Sequence, residues 1–220
     1  AEYCAKNYGW ANITSTFINP YTVEGDKTPA YELYHQLRGQ VPDYILIPIG
    51  SGPLLVGMTK GYEELKQMGL VDKIPAMIGV QAAACAPITK AFLERKEKVT
   101  GWEEAIFTAA GGISDPLLGY EKDGDLTLAT VRRTGGMMVS LDEEEIAEAL
   151  SIVEKKIGLY CEPTGAVSVG AIKKLWNEGY LKEGTLAVSM TTGHGFKFSK
   201  RQPKTPPVIE NAEQIEQLVR

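Results

Sequence analysis

The sequence predicts an α/β protein in which a mostly parallel, twisted sheet lies between two layers of helices. Two observations lead to this prediction. Apolar segments of strand length alternate along the chain with segments of helical periodicity. These apolar segments are continuous, which is typical of parallel strands that are buried on both faces. Because ligands of such sheets bind outside the carboxyl ends of the strands, the loops that follow the strands are the expected place for a site.

In the first half of the chain, predicted helices and strands take turns. Helices are expected at residues 1–8, 29–37, 54–68, 86–97 and 102–110. Strands are expected at residues 13–16, 44–49 and 78–80, and an irregular loop at residues 19–29. Thr28 can cap the helix that follows it, and Pro29 suits a first helical position because its missing N–H has no partner there.

The second half of the chain continues the same alternation. Strands are expected at residues 137–139 and 186–190, and helices at 141–156 and 164–176. The first of these helices follows Ser140-Leu141-Asp142-Glu143, which we interpret as a capping box. The apolar but mixed segment 126–131 receives no assignment. The tail contains a proline-rich linker at 202–207, and Asn211 can cap a short final helix that ends at Leu218.

Composition excludes several classes of function. The formal net charge of −5 gives no indication of nucleic acid or an anionic membrane as a partner. No apolar run approaches the roughly 20 residues of a membrane span. Cys4, Cys85 and Cys161 are widely spaced and the chain has only 2 histidines, which argues against a disulfide framework or a metal site. We therefore expect a cytoplasmic protein that binds a small molecule.

The segment Gly50-Ser51-Gly52-Pro53 follows a predicted strand and precedes a predicted helix. Backbone N–H groups at a helix N-terminus converge on one point, where the helix dipole favours an anion. Since Pro53 has no N–H, the available donors would be Ser51, Gly52, Leu54 and Leu55. By itself the loop fits a plain tight turn equally well. A second glycine loop, Gly193–Gly195, also follows a strand, so both loops can meet at one pocket.

Several segments together resemble the fold-type II (tryptophan synthase β-like) pyridoxal-phosphate enzymes and, within them, the threonine synthases. They occur in the order that the family shows: Asn19-Pro20-Tyr21 with Glu24-Gly25 and Lys27-Thr28, Pro48-Ile49-Gly50-Ser51-Gly52, Gly79-Val80-Gln81, Glu162-Pro163-Thr164-Gly165-Ala166 and Thr192-Gly193-His194-Gly195-Phe196-Lys197. The resemblance implies that residues 1–200 are a portion of the large, cofactor-binding domain, with the first residues from the end of the small domain. Residues 201–220 would then be a linker and a C-terminal helix.

The resemblance also implies a role for each matched residue. Gly50, Ser51 and Gly52, with the amides of Leu54 and Leu55, would hold the 5′-phosphate of pyridoxal 5′-phosphate. Thr192 would contact the pyridine nitrogen, and because its hydroxyl is neutral the ring would be a weaker electron sink, which suits elimination and replacement at a β or γ carbon. Glu162 would lie near the ring or order its loop, while His194, Lys27 and Lys197 are expected to be structural.

Two departures from the family pattern limit these expectations. Pro53 and Leu54 stand where the family usually has Gly or Asn, which leaves the substrate open. The family's Schiff-base lysine precedes the Asn-Pro segment in a Ser-x-Lys-Asp-Arg-like motif, but here only Lys6 precedes Asn19. We therefore expect the C-terminal portion of such an enzyme, with no catalytic residue of its own and no activity alone.

The expected reaction of the whole enzyme acts on an amino-acid substrate, with the conversion of O-phosphohomoserine to threonine as the first example. The alternatives are another fold-type II enzyme, namely a dehydratase, an ammonia-lyase, a cysteate synthase or a thiolase subunit, and a non-catalytic module that binds a phosphorylated metabolite. A truncated domain would also expose apolar surface, which permits a homodimer.

Overall fold

The computed structural model describes residues 2–14, 16–17 and 19–198. Its centre is a four-stranded sheet in the order β3-β2-β1-β4, in which every pair of neighbouring strands is parallel. The strands are β1 (Tyr44–Pro48), β2 (Ala76–Ala82), β3 (Met137–Leu141) and β4 (Ala187–Ser189). The parallel sheet that the continuous apolar segments predicted is therefore confirmed.

The helices lie between and around the strands. They are α1 (Glu2–Tyr8), α2 (Pro20–Gly25), α3 (Thr28–Gln36), α4 (Pro53–Gln67), α5 (Pro87–Leu93), α6 (Glu121–Arg133), α7 (Glu143–Ile152) and α8 (Pro163–Asn177). A π-helical turn, Val153–Ile157, continues α7, and short 3₁₀ turns occur at Gly111–Ile113 and Gly195–Phe198. In chain order, α4 connects β1 to β2, while α7 and α8 connect β3 to β4.

Apolar side chains of the sheet enter two separate cores, one on each face. Ile45 and Ile47 of β1 pack in a cluster with residues of α4 and α6. Leu46, which lies between them and points to the opposite face, packs with Val167 and Ala171 of α8. Because successive side chains of a strand alternate between faces, one strand serves both cores. The predicted three-layer architecture is thus confirmed.

Two sequence expectations before β1 are wrong. The irregular loop expected at 19–29 contains α2, because the side chain of Asn19 accepts a hydrogen bond from the Tyr21 amide and Pro20 occupies the first helical position. The strand expected at 13–16 does not form, since Ile13, Thr14 and Thr16 are outside any strand and Ser15 is not among the described residues.

Further along the chain, the helix expected at 102–110 is also wrong. The amide of Ala110 is bonded to the Thr108 hydroxyl and that of Trp102 to the Pro116 carbonyl, so these groups are not available to a helix. The next segment, left unassigned, belongs to α6, which has acidic residues in its first turn and Arg132 and Arg133 in its last.

Helix boundaries also differ from the expected ones. α5 ends at Leu93 rather than at residue 97, because Arg95 adopts a positive φ of 56°. The capping box of α7 consists of Asp142 and Glu145 rather than Ser140 and Glu143, since β3 extends to Leu141. The linker and final helix expected beyond residue 200 lie outside the described residues.

The helical pair α2–α3 packs closely on α4 through glycines. A Cβ atom at Gly57 would overlap Asp26, and one at Gly61 would lie 2.7 Å from the Ala30 Cβ. Lys27, which lies between α2 and α3, forms an ion pair with Glu64 of α4 at 2.9 Å. The expected structural role of Lys27 therefore agrees with its contacts.

The hydroxyl of Tyr62, in the middle of α4, is buried without a hydrogen-bond partner among the described residues. The whole side chain is fully buried, and burial raises its pKa to about 12. We expect Tyr62→Phe to increase the free energy of unfolding by about 1 kcal/mol, because it removes a polar group that gains no bond on folding. Urea denaturation at neutral pH measures this change.

Tyr31→Phe is the matched control, because the Tyr31 hydroxyl donates a hydrogen bond to Glu64. That substitution should lower the free energy of unfolding by about 1 kcal/mol. A Tyr62→Phe variant as destabilised as Tyr31→Phe would contradict the unpartnered state of Tyr62.

Candidate functional site

The candidate site is a cleft of about 520 Å³ at the carboxyl edge of the sheet. β1 and β4 are neighbours, with Leu46 opposite Ser189, so the loops that follow these strands lie side by side. Gly50–Leu54 after β1 and Thr192 after β4 line the same cleft. The prediction that both loops contribute to one pocket is thus supported by Thr192, the residue directly before the second glycine loop.

The floor of the cleft is the turn between β1 and α4. Gly52 precedes Pro53 at the helix start and has a φ of 99°, which glycine adopts without the strain that a Cβ would bring. Within the described part of the chain, no hydrogen bond is made by a set of amides that surround the start of α4: those of Gly50, Ser51, Gly52, Leu54 and Leu55. We call this set the amide cradle.

The members of the cradle differ in how they meet the cleft. Gly50, Ser51, Gly52 and Leu54 line it. The side chain of Leu55 is fully buried in the core beneath α4, so only its amide could contribute. The role expected for Leu55 therefore stays a prediction that concerns its backbone alone.

Thr192 is solvent-exposed on the other side of the cleft, and the start of α8 supports the loop that carries it. The Ser168 hydroxyl donates to the Met190 carbonyl at 2.8 Å, two residues before Thr192. The amide of Glu162 donates to the carbonyl of Gly193 at 3.0 Å. These bonds tie the loop on either side of Thr192, while the described contacts leave its hydroxyl available to a ligand.

Carboxylates outnumber cations among the described residues of the cleft. Asp26, Asp115 and Glu162 line it, together with the single lysine Lys197. Asp115 accepts hydrogen bonds from the Tyr120 hydroxyl and the Leu117 amide, while burial raises the pKa of Asp26 above its usual 3.8. Since the side chains do not supply net positive charge, an anion in the cleft would depend on the amides and on the dipole of α4.

Sequence reasoning did not find Asp26 or Asp115 as site residues. Asp26 lies in the segment expected to be irregular, and the loop that contains Asp115 was expected only to connect helices. The proximity of the Glu24-Gly25 and Lys27-Thr28 segments to Asp26 was the one available signal. For Asp115, the contact with Gly50 arises from the fold, and no local pattern in the sequence indicates it.

Other candidate groups are not placed for catalysis. His194 packs against the rings of Tyr160 and Phe196, and its Nδ1 accepts a hydrogen bond from the Phe196 amide. Burial and the nearby Asp115 raise the pKa of Cys85 to about 11, which disfavours the reactive thiolate. Among the described residues, no group of three or more His, Cys, Asp or Glu side chains could hold a metal ion. No helix in this part of the chain is both long and apolar enough to cross a membrane.

Comparison with protein families matches residues 1–193 of the chain to the model described as "Pyridoxal-phosphate dependent enzyme". Threonine synthase of Methanocaldococcus jannaschii is 35% identical over 182 residues, which are 82% of this chain and 44% of the relative. Threonine synthase of Mycobacterium tuberculosis is 30% identical over 192 residues, or 87% of this chain and 50% of the relative. The chain thus spans about half the length of these curated relatives.

Solved structures with the same fold include threonine deaminases. The processed form of threonine deaminase isoform 2 from Solanum lycopersicum superposes with a TM-score of 0.69 at 19% identity, covering 88% of this chain and 51% of that one. A second threonine deaminase, from the bacterial source abbreviated T.th., gives a TM-score of 0.67 at 22% identity, covering 94% of this chain and 67% of that one. These likenesses show the fold of the fold-type II enzymes.

The unpaired charge of Asp26 generates a test of the cleft's electrostatics. We expect Asp26→Asn to bind inorganic phosphate about two- to fivefold more tightly at pH 7.5 and low salt, because it removes a repelling carboxylate. The difference should shrink in 0.5 M NaCl, a salt concentration that screens such charges. Isothermal titration calorimetry measures both affinities, and Asp72→Asn, in an exposed loop, is the control.

The same substitution carries a stability signature. Burial raises the pKa of Asp26 in the folded state, so ionisation costs stability as the pH rises through that pKa. Asp26→Asn should therefore stabilise the fold at neutral pH, and this gain should disappear below about pH 4, where the carboxyl is protonated in both states. Equal phosphate affinity for Asp26→Asn and Asp72→Asn would show that Asp26 does not act on the anion.

Proposed function

Because the chain belongs to the pyridoxal-phosphate dependent enzyme family, we propose that it is the cofactor-binding portion of a threonine synthase-like enzyme. The enzyme would catalyse elimination and replacement at the β or γ carbon of an amino acid. The observation that carries this proposal is the amide cradle, which lies at the start of a long helix and opens into the cleft that Thr192 also lines. Such a set of free donors fits a phosphate group.

The residues in the cleft fit pyridoxal 5′-phosphate in two places. The amides of Gly50, Ser51, Gly52, Leu54 and Leu55 would hold the phosphate. On the opposite side, the hydroxyl of Thr192 would meet the ring nitrogen and, being neutral, would leave it without a proton. When bound, the cofactor supplies an electron-poor ring that accepts electron density from the α carbon of the substrate.

We further propose that the Schiff-base lysine is supplied by a segment outside this sequence, so that the chain is inactive alone. Lys197 is the one lysine found among the described cleft-lining residues, and it follows the loop of Thr192 rather than preceding the Asn-Pro segment as in the family pattern. Lys27 is held in ion pairs with Glu24 and Glu64. Neither has the position that the family's lysine requires.

The substrate of the whole enzyme is part of the proposal. O-phosphohomoserine is favoured because curated relatives with up to 35% identity are threonine synthases. Another fold-type II reaction, that of a dehydratase, an ammonia-lyase, a cysteate synthase or a thiolase subunit, is favoured instead by Pro53 and Leu54 in the cradle turn. Assaying the complete gene product for phosphate release from O-phosphohomoserine and for ammonia release from serine separates these alternatives.

A non-catalytic module that binds a phosphorylated metabolite is the second candidate, favoured by the missing lysine motif. The reading frame upstream of Ala1 distinguishes it from the enzyme, because an in-frame lysine motif supports the enzyme. We also propose a cytoplasmic location, which the unpaired state of Cys4, Cys85 and Cys161 supports. A homodimer that shields the apolar surface of the domain also remains part of the proposal.

The cradle predicts a specific sensitivity to a single methyl group. A Cβ atom at Gly52 would lie 2.5 Å from the Thr127 hydroxyl, and its φ of 99° is strained for any other residue. We expect Gly52→Ala to weaken the binding of pyridoxal 5′-phosphate at least about tenfold, since both effects displace the amides. Absorbance titration measures the cofactor's affinity, and competition by inorganic phosphate assigns the effect to the phosphate.

Gly69→Ala is the matched control for this substitution. Gly69 follows the other end of α4, has a φ of 72° and has no atom within 4 Å of the position of a Cβ. It therefore shares the backbone strain but not the clash. Cofactor affinity that Gly52→Ala leaves unchanged would contradict the cradle as the phosphate site.

The proposed source of the lysine predicts the outcome of chemical trapping. After the chain is mixed with pyridoxal 5′-phosphate and treated with borohydride, mass spectrometry should find no stoichiometric attachment at a single lysine. Lys197→Met should retain the cofactor affinity of the wild type, because the proposed site does not use that amine. Stoichiometric attachment to Lys197 would instead make Lys197 the functional lysine and refute the proposal that it lies elsewhere.

A further inference from the structure

The cradle turn is held from behind by side chains of two other elements. Nε2 of Gln81, at the end of β2, donates a hydrogen bond to the Gly50 carbonyl at 3.3 Å. The hydroxyl of Thr127, on α6, donates to the Ser51 carbonyl at 2.5 Å. Both side chains are fully buried, so each bond lies on the interior side of the turn.

These two bonds determine where the neighbouring amides point. In a trans peptide, the C=O of one residue and the N–H of the next lie in one plane and point in opposite directions. The described chain has no cis peptide. With the Gly50 and Ser51 carbonyls directed to the interior, the N–H groups of Ser51 and Gly52 are directed away from it, and both residues line the cleft.

The orientation of the Gln81 side chain is itself determined by its surroundings. Oε1 of Gln81 accepts hydrogen bonds from the amides of Ile88 and Thr89 and from the Thr89 hydroxyl, at 3.1, 2.9 and 3.1 Å. All of these partners are donors, so this atom must be the amide oxygen. The NH₂ group is then the atom that faces Gly50, where it can only donate.

We infer that Gln81 and Thr127 are positioning residues of the phosphate site. They hold two carbonyls on the interior side, so that the amides of Ser51 and Gly52 face the anion before it binds. This inference rests on the proposed function, in which the cradle binds a phosphate. If the peptide planes could rotate, carbonyl oxygens would turn toward the anion and repel it, so holding them lowers the cost of binding.

Contacts around Gly52 support this arrangement. A Cβ at Gly52 would meet the Thr127 hydroxyl at 2.5 Å and its methyl carbon at 2.6 Å. The absence of a side chain at Gly52 therefore allows Thr127 to approach the Ser51 carbonyl. α6 contacts the cradle through this threonine, which explains a polar residue that is fully buried on an otherwise core-facing side.

The experiment compares three threonine variants by titration with inorganic phosphate. Thr127→Val is close in shape and removes the donor, so it should weaken phosphate binding about fivefold, as expected for the loss of one hydrogen bond. Thr127→Ser keeps the hydroxyl and should bind phosphate as the wild type does. Thr130→Val is the control: Thr130 is equally buried on the same helix, but its hydroxyl donates to Leu126 of that helix.

A second measurement reports the amides directly. In ¹H–¹⁵N spectra, added phosphate should shift the Ser51 and Gly52 signals in the wild type, Thr127→Ser and Thr130→Val, and should shift them less in Thr127→Val. Thermal unfolding shows whether the variants are folded. Gln81→Glu is an independent variant that keeps the acceptor for Ile88 and Thr89 but replaces the donor, and it should weaken phosphate binding at least about tenfold.

The outcomes separate this inference from the proposed function. If the wild type binds phosphate and pyridoxal 5′-phosphate, but Thr127→Val and Gln81→Glu bind as tightly as Thr130→Val, the positioning role is wrong and the cradle stands. If the wild type binds neither ligand, the proposed function fails and the inference fails with it. Weaker phosphate binding by folded Thr127→Val that Thr127→Ser restores supports the inference.

Discussion

The parallel pairing of β1 with both β2 and β4 is the constraint on which the rest of the structure depends. In a parallel sheet, all carboxyl ends lie at one edge, so the loops after neighbouring strands must share that edge. The pairing of Leu46 with Ser189 therefore brings Gly50–Leu54 next to the loop of Thr192, although they are far apart in sequence. The pairing of β1 with β2 also places Gln81 beneath Gly50. An antiparallel β4 would carry Thr192 to the opposite edge.

The groups that face the cleft near α4 are backbone amides, and this explains the pattern of residues around them. Backbone donors need no particular side chain, but they need peptide planes that cannot rotate. The turn therefore has small residues where other elements approach, with Asp115 against Gly50 and Thr127 against Gly52. The polar side chains stand behind the turn, where they bond to carbonyls. Specific chemistry is thus distributed between a local turn and distant supports.

The sequence predicts features of the fold and site that depend on local pattern. The strands and the glycine turn before α4 were predictable because apolar runs and a strand–turn–helix order are local. α6 was not, because its apolar face is mixed with Thr127 and Thr130, which are buried by tertiary contacts. The contacts of Asp115 and Gln81 with Gly50 likewise exist only once the sheet has formed, so no window of sequence contains them.

The relative size of the electrostatic effects explains how an acidic cleft can hold an anion. Asp26, Asp115 and Glu162 outnumber Lys197 among the described lining residues, so side-chain charge does not attract a phosphate. The dipole of α4 contributes about 0.3–1 kcal/mol, and about 2 kcal/mol in a partly buried geometry. Each hydrogen bond from an amide to a charged oxygen contributes about 1.5–3 kcal/mol, so two well-aimed amides exceed the dipole. These bonds act only over contact distance and only when the N–H groups point correctly. Affinity in this cleft therefore depends more on the orientation of a few peptide planes than on charge, which gives the buried supports of the turn their importance.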